Sequence, residues 1–130
     1  MSTDKIDAGK YAALVAAINM SLGTIEFDLD GTVCDANENF LEILGYSLDE
    51  VKGKHHSMFC EEHYSASLEY AEFWKKLNSG EFDRGEYKRI GKNGSETFIR
   101  ATYNPIFDVD GKPIKVLKIA NDVTEEKRLE

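Results

Sequence analysis

The final third of this chain constrains its fold most. Three runs alternate between apolar and polar residues, at about Phe82–Ile90, Glu96–Phe107 and Pro113–Asn121. Between them stand Gly91-Lys92-Asn93-Gly94 and Asp108-Val109-Asp110-Gly111, whose Gly, Asn and Asp favour tight turns. The last run ends at Asn121-Asp122-Val123-Thr124 and passes at once into a charged, helix-like tail, where Asp122 can cap with Glu125 three residues on. A three-strand meander feeding an outgoing helix suits a module that senses something on its sheet and passes the change on. It suits a complete enzyme less well.

The rest of the chain supplies the partners such a sheet needs. Residues Ile6 to Leu22 carry Ile6, Leu14, Val15, Ile18 and Leu22 at three- and four-residue steps, which predicts an amphipathic helix ended by Gly23. Ile25, Phe27 and Leu29 alternate with Glu26 and Asp28, as in a half-buried strand. Asp30-Gly31 then turns the chain into a returning strand, Thr32 to Ala36. Asn37 can cap a short helix bearing Phe40, Leu41 and Leu44, and Gly45 ends it. Ser47-Leu48-Asp49-Glu50 is a capping-box pattern closed by Gly53. His55 to Tyr64 shows no clear period. Ser67 to Leu77 places Tyr70, Phe73, Trp74 and Leu77 on one helical face. Hairpins at both ends with helices between them predict an antiparallel α+β domain whose helices cover one sheet face.

Length and charge narrow the class. A chain of 130 residues fits one domain and buries about two-thirds of its unfolded surface. A net charge of −8 argues against a nucleic-acid face and against docking on anionic lipid. No apolar run approaches the ~20 residues that span a bilayer, and the start lacks the basic and apolar stretches of a signal peptide. Cys34 and Cys60 fit no metal or disulfide spacing and read as reduced thiols. A cytoplasmic location, as a free protein or as part of a membrane receptor, is the expectation.

The ordered motifs resemble a PAS domain. They are Phe27-Asp28-Leu29-Asp30-Gly31-Thr32, Ala36-Asn37-Glu38-Asn39-Phe40, Gly45-Tyr46-Ser47-Leu48-Asp49-Glu50-Val51-Lys52-Gly53, Gly80-Glu81-Phe82, Lys92-Asn93-Gly94, Asn104-Pro105-Ile106, Asp110-Gly111 and Asp122-Val123-Thr124. The similarity runs from about Leu22 to Thr124. Within the family it looks most like PAS domains of bacterial methyl-accepting chemotaxis receptors of the aerotaxis kind. His55-His56-Ser57-Met58-Phe59-Cys60, Phe73-Trp74-Lys75-Lys76-Leu77 and Arg89-Ile90-Gly91-Lys92-Asn93-Gly94 carry that narrower match. The resemblance implies a five-stranded antiparallel sheet in the order 2-1-5-4-3, with helices on one face enclosing a pocket. It implies a homodimer, formed through the N-terminal helix and the outer sheet face. It also implies output to a signalling domain through the helix after Thr124. The expected organisation is an N-terminal helix at 1–22, the PAS domain at 23–124 and the start of an output helix at 125–130.

The candidate ligand-facing residues are Trp74, Asn39, His56, Phe73 and Asn104. By resemblance to flavin-binding aerotaxis domains, Trp74 stands where a tryptophan lies near the cofactor; its plain reading is a core aromatic. Ser57 replaces an Asn of that flavin motif, and Cys60-Glu61-Glu62 replaces a basic loop, which disfavours a pyrophosphate. Haem-binding PAS domains use one axial histidine, so His55, His56 and His63 keep haem open. FAD and haem both stand as possible cofactors, and neither is favoured. The histidines are not spaced for zinc. His56 occupies the place of the photoactive cysteine of light-sensing flavin domains, which argues against a light-driven adduct. Cys34 and Cys60 read as small buried hydrophobes. Asn37 reads as a helix cap, and Asn39 as a polar group beside the pocket. Arg100, Thr102, Asn104 and Lys118 are read as sharing a sheet face with apolar neighbours, and one of them turned inward would anchor a ligand. No nucleophile–base pair or phosphate loop points to catalysis. The expectation is a ligand- or cofactor-binding sensor; the alternative is a ligand-free dimerisation module with a filled core.

Overall fold

A computed structural model describes residues 3–130, with side chains from Asp7 onward. Helix α1 (Thr3–Ser21) leads into β1 (Gly23–Asp28) and β2 (Val33–Ala36). Short helices α2 (Glu38–Leu44) and α3 (Leu48–Val51), a 3₁₀ turn (His56–Phe59), α4 (Glu62–Ser65) and α5 (Leu68–Asn78) follow. The meander β3 (Asp83–Ile90), β4 (Glu96–Phe107) and β5 (Pro113–Asp122) ends in α6 (Thr124–Arg128). All neighbouring strands pair antiparallel, in the order β2-β1-β5-β4-β3. The fold class and strand order are those expected from the sequence.

Local chemistry explains the element ends. Asn37 Oδ1 accepts from Phe40 N at 2.9 Å and so caps α2. Ser47 and Glu50 form the capping box of α3, and Ser67 Oγ accepts from Tyr70 N at the start of α5. Gly31 has φ +89°, and a Cβ there would stand 2.6 Å from His55 Nε2. Both the turn and the packed histidine therefore demand glycine. At the far end Val123, rather than Asp122, occupies the cap position of α6. Asp122 instead accepts from Thr124 N at 2.9 Å.

The core lies between the inner sheet face and the helices. Ile25, Phe27, Ile99, Ala101, Tyr103, Val116 and Ala120 meet Phe40, Val51, Phe59, Tyr70, Phe73, Trp74 and Leu77. Helix α1 contributes little to it. From Asp7 on, Tyr11, Leu14, Val15 and Ile18 of α1 are exposed; the side chain of Ile6 lies outside the described residues. The body holds the end of α1 through Asn19. Its Oδ1 accepts from Asn37 Nδ2 at 2.8 Å and Thr24 Oγ1 at 3.0 Å, while its carbonyl accepts from Asn39 Nδ2 at 2.9 Å.

Candidate functional site

Three of the five sequence candidates meet in one place, and two lie elsewhere. Helix α5 turns Phe73 and Trp74 inward because Tyr70, Phe73, Trp74 and Leu77 follow the helical period. The 3₁₀ turn delivers His56 opposite them, fixed by a bond from His56 N to Gly31 O of 2.8 Å. Five aromatic rings surround His56. Tyr70 and Phe73 stack on it at 5.7 and 6.2 Å between centroids, and Phe27, Trp74 and Tyr103 meet it edge-on at 5.3, 5.4 and 5.6 Å.

Asn39 is spent on the α1–β1 joint, donating to Asn19 O and Leu22 O. Asn104 stands on the outer sheet face. It follows Tyr103, which points inward, and donates to Thr102 Oγ1 at 3.0 Å and Leu117 O at 3.2 Å. The expected shared face of Arg100, Thr102, Asn104 and Lys118 is therefore corrected by the register. Tyr103 pairs with Lys118 and Asn104 with Leu117, so Lys118 points inward and the other three outward. Arg100 is exposed and pairs with Glu86 at 2.9 Å. Cys34 is also corrected: it is half-buried, with its sulfur 3.1 Å from Lys115 Nζ, whereas Cys60 is buried as expected.

Sequence reasoning singled out Lys118 only as one of four, and Arg89 only as part of a family motif, not as a site candidate. Both are buried, at 0% and 2% exposure. Arg89 donates from Nη2 to Tyr103 Oη at 3.0 Å and from Nη1 to Lys88 O at 3.0 Å. Its guanidinium also covers the rings of Tyr87 and Tyr64 at 4.9 and 5.9 Å. Lys118 Nζ lies over Tyr103 at 4.8 Å and Phe40 at 5.2 Å, without a hydrogen-bond partner. Trp74 Nε1 and Arg89 Nε are likewise unpartnered. The indole N–H faces the Tyr70 phenol without closing a bond.

A directional chain runs through the cluster. Arg89 can only donate, so Tyr103 Oη accepts from it; in the tautomer that uses the phenol proton, Tyr103 gives to His56 Nε2 at 2.9 Å. His56 Nδ1–H then gives to Tyr70 Oη at 2.7 Å. That assignment needs a neutral imidazole. Burial, reinforced by the nearby charges of Lys118 and Arg89, holds His56 well below its ordinary value. Burial also pushes the Tyr103 phenol up to about 12 and Tyr70 upward. Burial beside Arg89 drives Lys118 well below the usual lysine range.

These states bear on cofactors and chemistry. Both nitrogens of His56 are engaged, so as arranged it offers no lone pair to a haem iron. His55 gives Nε2 to Asp30 O and takes Ser57 N on Nδ1, and His63 is exposed on α4. Glu61 is paired with Lys88, and Glu62 begins α4, so this stretch presents carboxylates rather than cations. Among the described residues no cluster of three metal-ligating side chains occurs. Cys60 Sγ lies 3.8 Å from His56 Nδ1, but burial pushes the thiol up and the imidazole down. That is the reverse of a thiolate–imidazolium pair.

The comparisons with known proteins agree with the fold. The family profile described as PAS fold matches residues 33–120. The chain is a PAS domain. It is 44% identical over 112 residues to the biofilm dispersion protein BdlA of Pseudomonas aeruginosa, covering 86% of this chain and 27% of that protein. It is 30% identical over 100 residues to the aerotaxis receptor of Escherichia coli, covering 77% of this chain and 19% of the receptor. The chain thus spans about a quarter or less of these relatives. The crystal structure of the PAS domain of a Colwellia psychrerythraea protein superposes with a TM-score of 0.76 at 21% identity, covering 88% of this chain and 98% of that one. This PAS domain contains no helix, among the described residues, long and apolar enough to cross a membrane.

Proposed function

We propose that this PAS domain is a sensory and signal-relay module of a chemotaxis-type receptor, working in the cytoplasm. A small ligand or cofactor acts on the cluster beneath the helices, and the change leaves through α6 to a C-terminal signalling domain. The observation that carries this reading is the buried cluster of His56, Tyr103, Arg89 and Lys118, which retains unpartnered donors. Native cores rarely leave such groups unmet by protein, water or ligand.

The relay has a physical joint. Phe98 N on β4 gives to Thr124 Oγ1 at 2.9 Å, and Val123 N gives to Phe98 O at 2.8 Å. Strand β4 also carries Tyr103, so a shift at the cluster reaches the start of α6 along one strand. Nothing in the cluster recommends turnover, and we assign no enzymatic activity.

The functional form in this reading is a homodimer. Leu14, Val15 and Ile18 of α1 are exposed. Val15 and Ile18 border a groove of about 290 Å³ against Leu117 and Ile119 on the outer sheet face. A second copy covering this stripe would bury it. The second reading, a ligand-free dimerisation module, draws on the same exposed stripe and on the close aromatic packing around His56.

Absorption spectra of the freshly purified protein, alone and after incubation with FAD and with haem, separate these readings. A flavin doublet or a Soret band makes the domain a redox or gas sensor. A flat spectrum throughout leaves a colourless metabolite or the relay module, which a ligand screen then divides.

A further inference from the structure

The described core buries two cationic side chains and no carboxylate: its buried polar residues are His56, Arg89, Thr97 and Lys118. Lys118 Nζ and Arg89 Nε each lack a hydrogen-bond partner. The two flank one side chain, with Arg89 on the hydroxyl of Tyr103 and Lys118 over its ring. Charge out of water is costly unless an opposite charge meets it, so Arg89 carries that cost, burial disfavours the protonated state of Lys118, and an incoming anion would relieve both.

We propose that this PAS domain binds a small organic carboxylate, one oxygen accepting from Lys118 Nζ and the other from Arg89 Nε, beside the Tyr103 ring. The proposal rests on the sensor reading and names its ligand class. Of the three unpartnered donors Trp74 Nε1 faces the Tyr70 phenol, which leaves Lys118 Nζ and Arg89 Nε for the two oxygens of a carboxylate. A phosphate would leave further charged oxygens unmet among apolar walls. Those walls, Phe40, Phe73 and Trp74 among them, favour an aliphatic or aromatic body. The way in is a cleft of about 360 Å³ between α4 and β3, where Tyr64 and Tyr87 cover the Arg89 guanidinium. Of the three carboxylates at the mouth, Glu61 is neutralised by Lys88 and Glu86 by Arg100 and Lys127, while Glu69 has no ion-pair partner among the described residues and opposes an approaching anion. Tyr64 is half-buried on the four-residue helix α4, so an outward swing of its ring exposes the guanidinium. The cluster is close-packed, so uptake rearranges it, and that rearrangement is the signal.

The test uses the whole chain at fixed ionic strength, with formate, acetate, pyruvate, benzoate and indole-3-acetate as probes and benzamide as the neutral control. Trp74, the one tryptophan, reports by fluorescence, alongside thermal shift. The expected result is saturable binding of at least one carboxylate, no response to benzamide, and at least a tenfold loss of affinity in Lys118→Met. Arg89→Gln provides the second variant should Lys118→Met fail to fold. The proposal is overturned if no carboxylate saturates, if benzamide matches benzoate, or if both variants bind as the wild type does. Uptake of FAD, haem or a neutral metabolite, unchanged in Lys118→Met, overturns the carboxylate but leaves the sensor reading standing.

Discussion

Replacing Lys118 with methionine should make the isolated domain more stable. The lysine is fully buried, its stem packs in the core, and its amine has no hydrogen-bond partner. Methionine keeps an unbranched stem of similar length and removes the unsatisfied donor. Leaving such a donor buried costs ~1–3 kcal/mol, and swapping buried charge for apolar packing is often stabilising by a similar amount. The contacts over Phe40 and Tyr103 oppose the gain only if the amine is charged, a state that burial disfavours. A net gain of about 1–3 kcal/mol is expected, which raises Tm by roughly 5–15 °C for a domain of this size. The effect should depend on pH. Because the folded amine releases its proton well below the unfolded value near 10.5, the unfolded chain binds more protons between those two values. Wild-type stability therefore rises with pH across that window, by up to about 1.4 kcal/mol per unit. The advantage of Lys118→Met should shrink toward pH 10.5. Urea unfolding of both proteins at several pH values measures this. A variant less stable by more than about 1 kcal/mol, or a difference that ignores pH, would refute the reasoning.

Three further perturbations follow from the same structure. His56 is neutral when folded and its value lies well below 6.5, so protonation favours the unfolded chain. Below pH 6.5 the wild type should lose stability faster than His56→Gln by up to about 1.4 kcal/mol per unit, read as the difference between their melting curves. Asn37→Ala removes the cap of α2 together with bonds to Thr24 N, Asn19 Oδ1 and Leu22 O. It should cost about 2 kcal/mol in denaturant unfolding, and a loss under a few tenths would contradict the assigned network. Removing residues before Leu22 should shift sedimentation toward the monomer, because it deletes the exposed apolar stripe of α1; unchanged sedimentation would sink the proposed dimer face.

Much of the fold was legible because its signals are local. Asn37, Ser47 and Ser67 announce helix starts, Asp30-Gly31 and Asp110-Gly111 announce turns, and Tyr70, Phe73, Trp74 and Leu77 repeat at helical spacing. The candidate site was legible only in part. In β5 the run Ile114-Lys115-Val116-Leu117-Lys118-Ile119 has apolar residues in both phases, so a period of two cannot say which lysine turns inward. Register with β4 decides it by setting Lys118 beside Tyr103. Arg89 hid for a related reason: in β3 it follows Lys88, and only the packing of Tyr64 and Tyr87 distinguishes the two cations. The stretch from His55 to Tyr64 lacks a period because two very short helical turns share it, ordered by contact with Gly31 and the cluster. The partners of Asn39, the Asn19 and Leu22 carbonyls, are distant in sequence and belong to the joint with α1, so no local signal marks them.

The central claim is that this core accepts a ligand, and a thermal-shift screen of the purified domain tests it most directly. The panel should hold carboxylates, neutral metabolites, FAD and haem, each near saturation. Binding at one hundred times Kd stabilises the folded state by ~2.7 kcal/mol, a rise on the order of 10 °C. The account predicts such a rise for at least one compound, lost or weakened when Lys118 or Arg89 is replaced. A flat response across the whole panel would contradict it and leave a filled core that serves dimerisation alone.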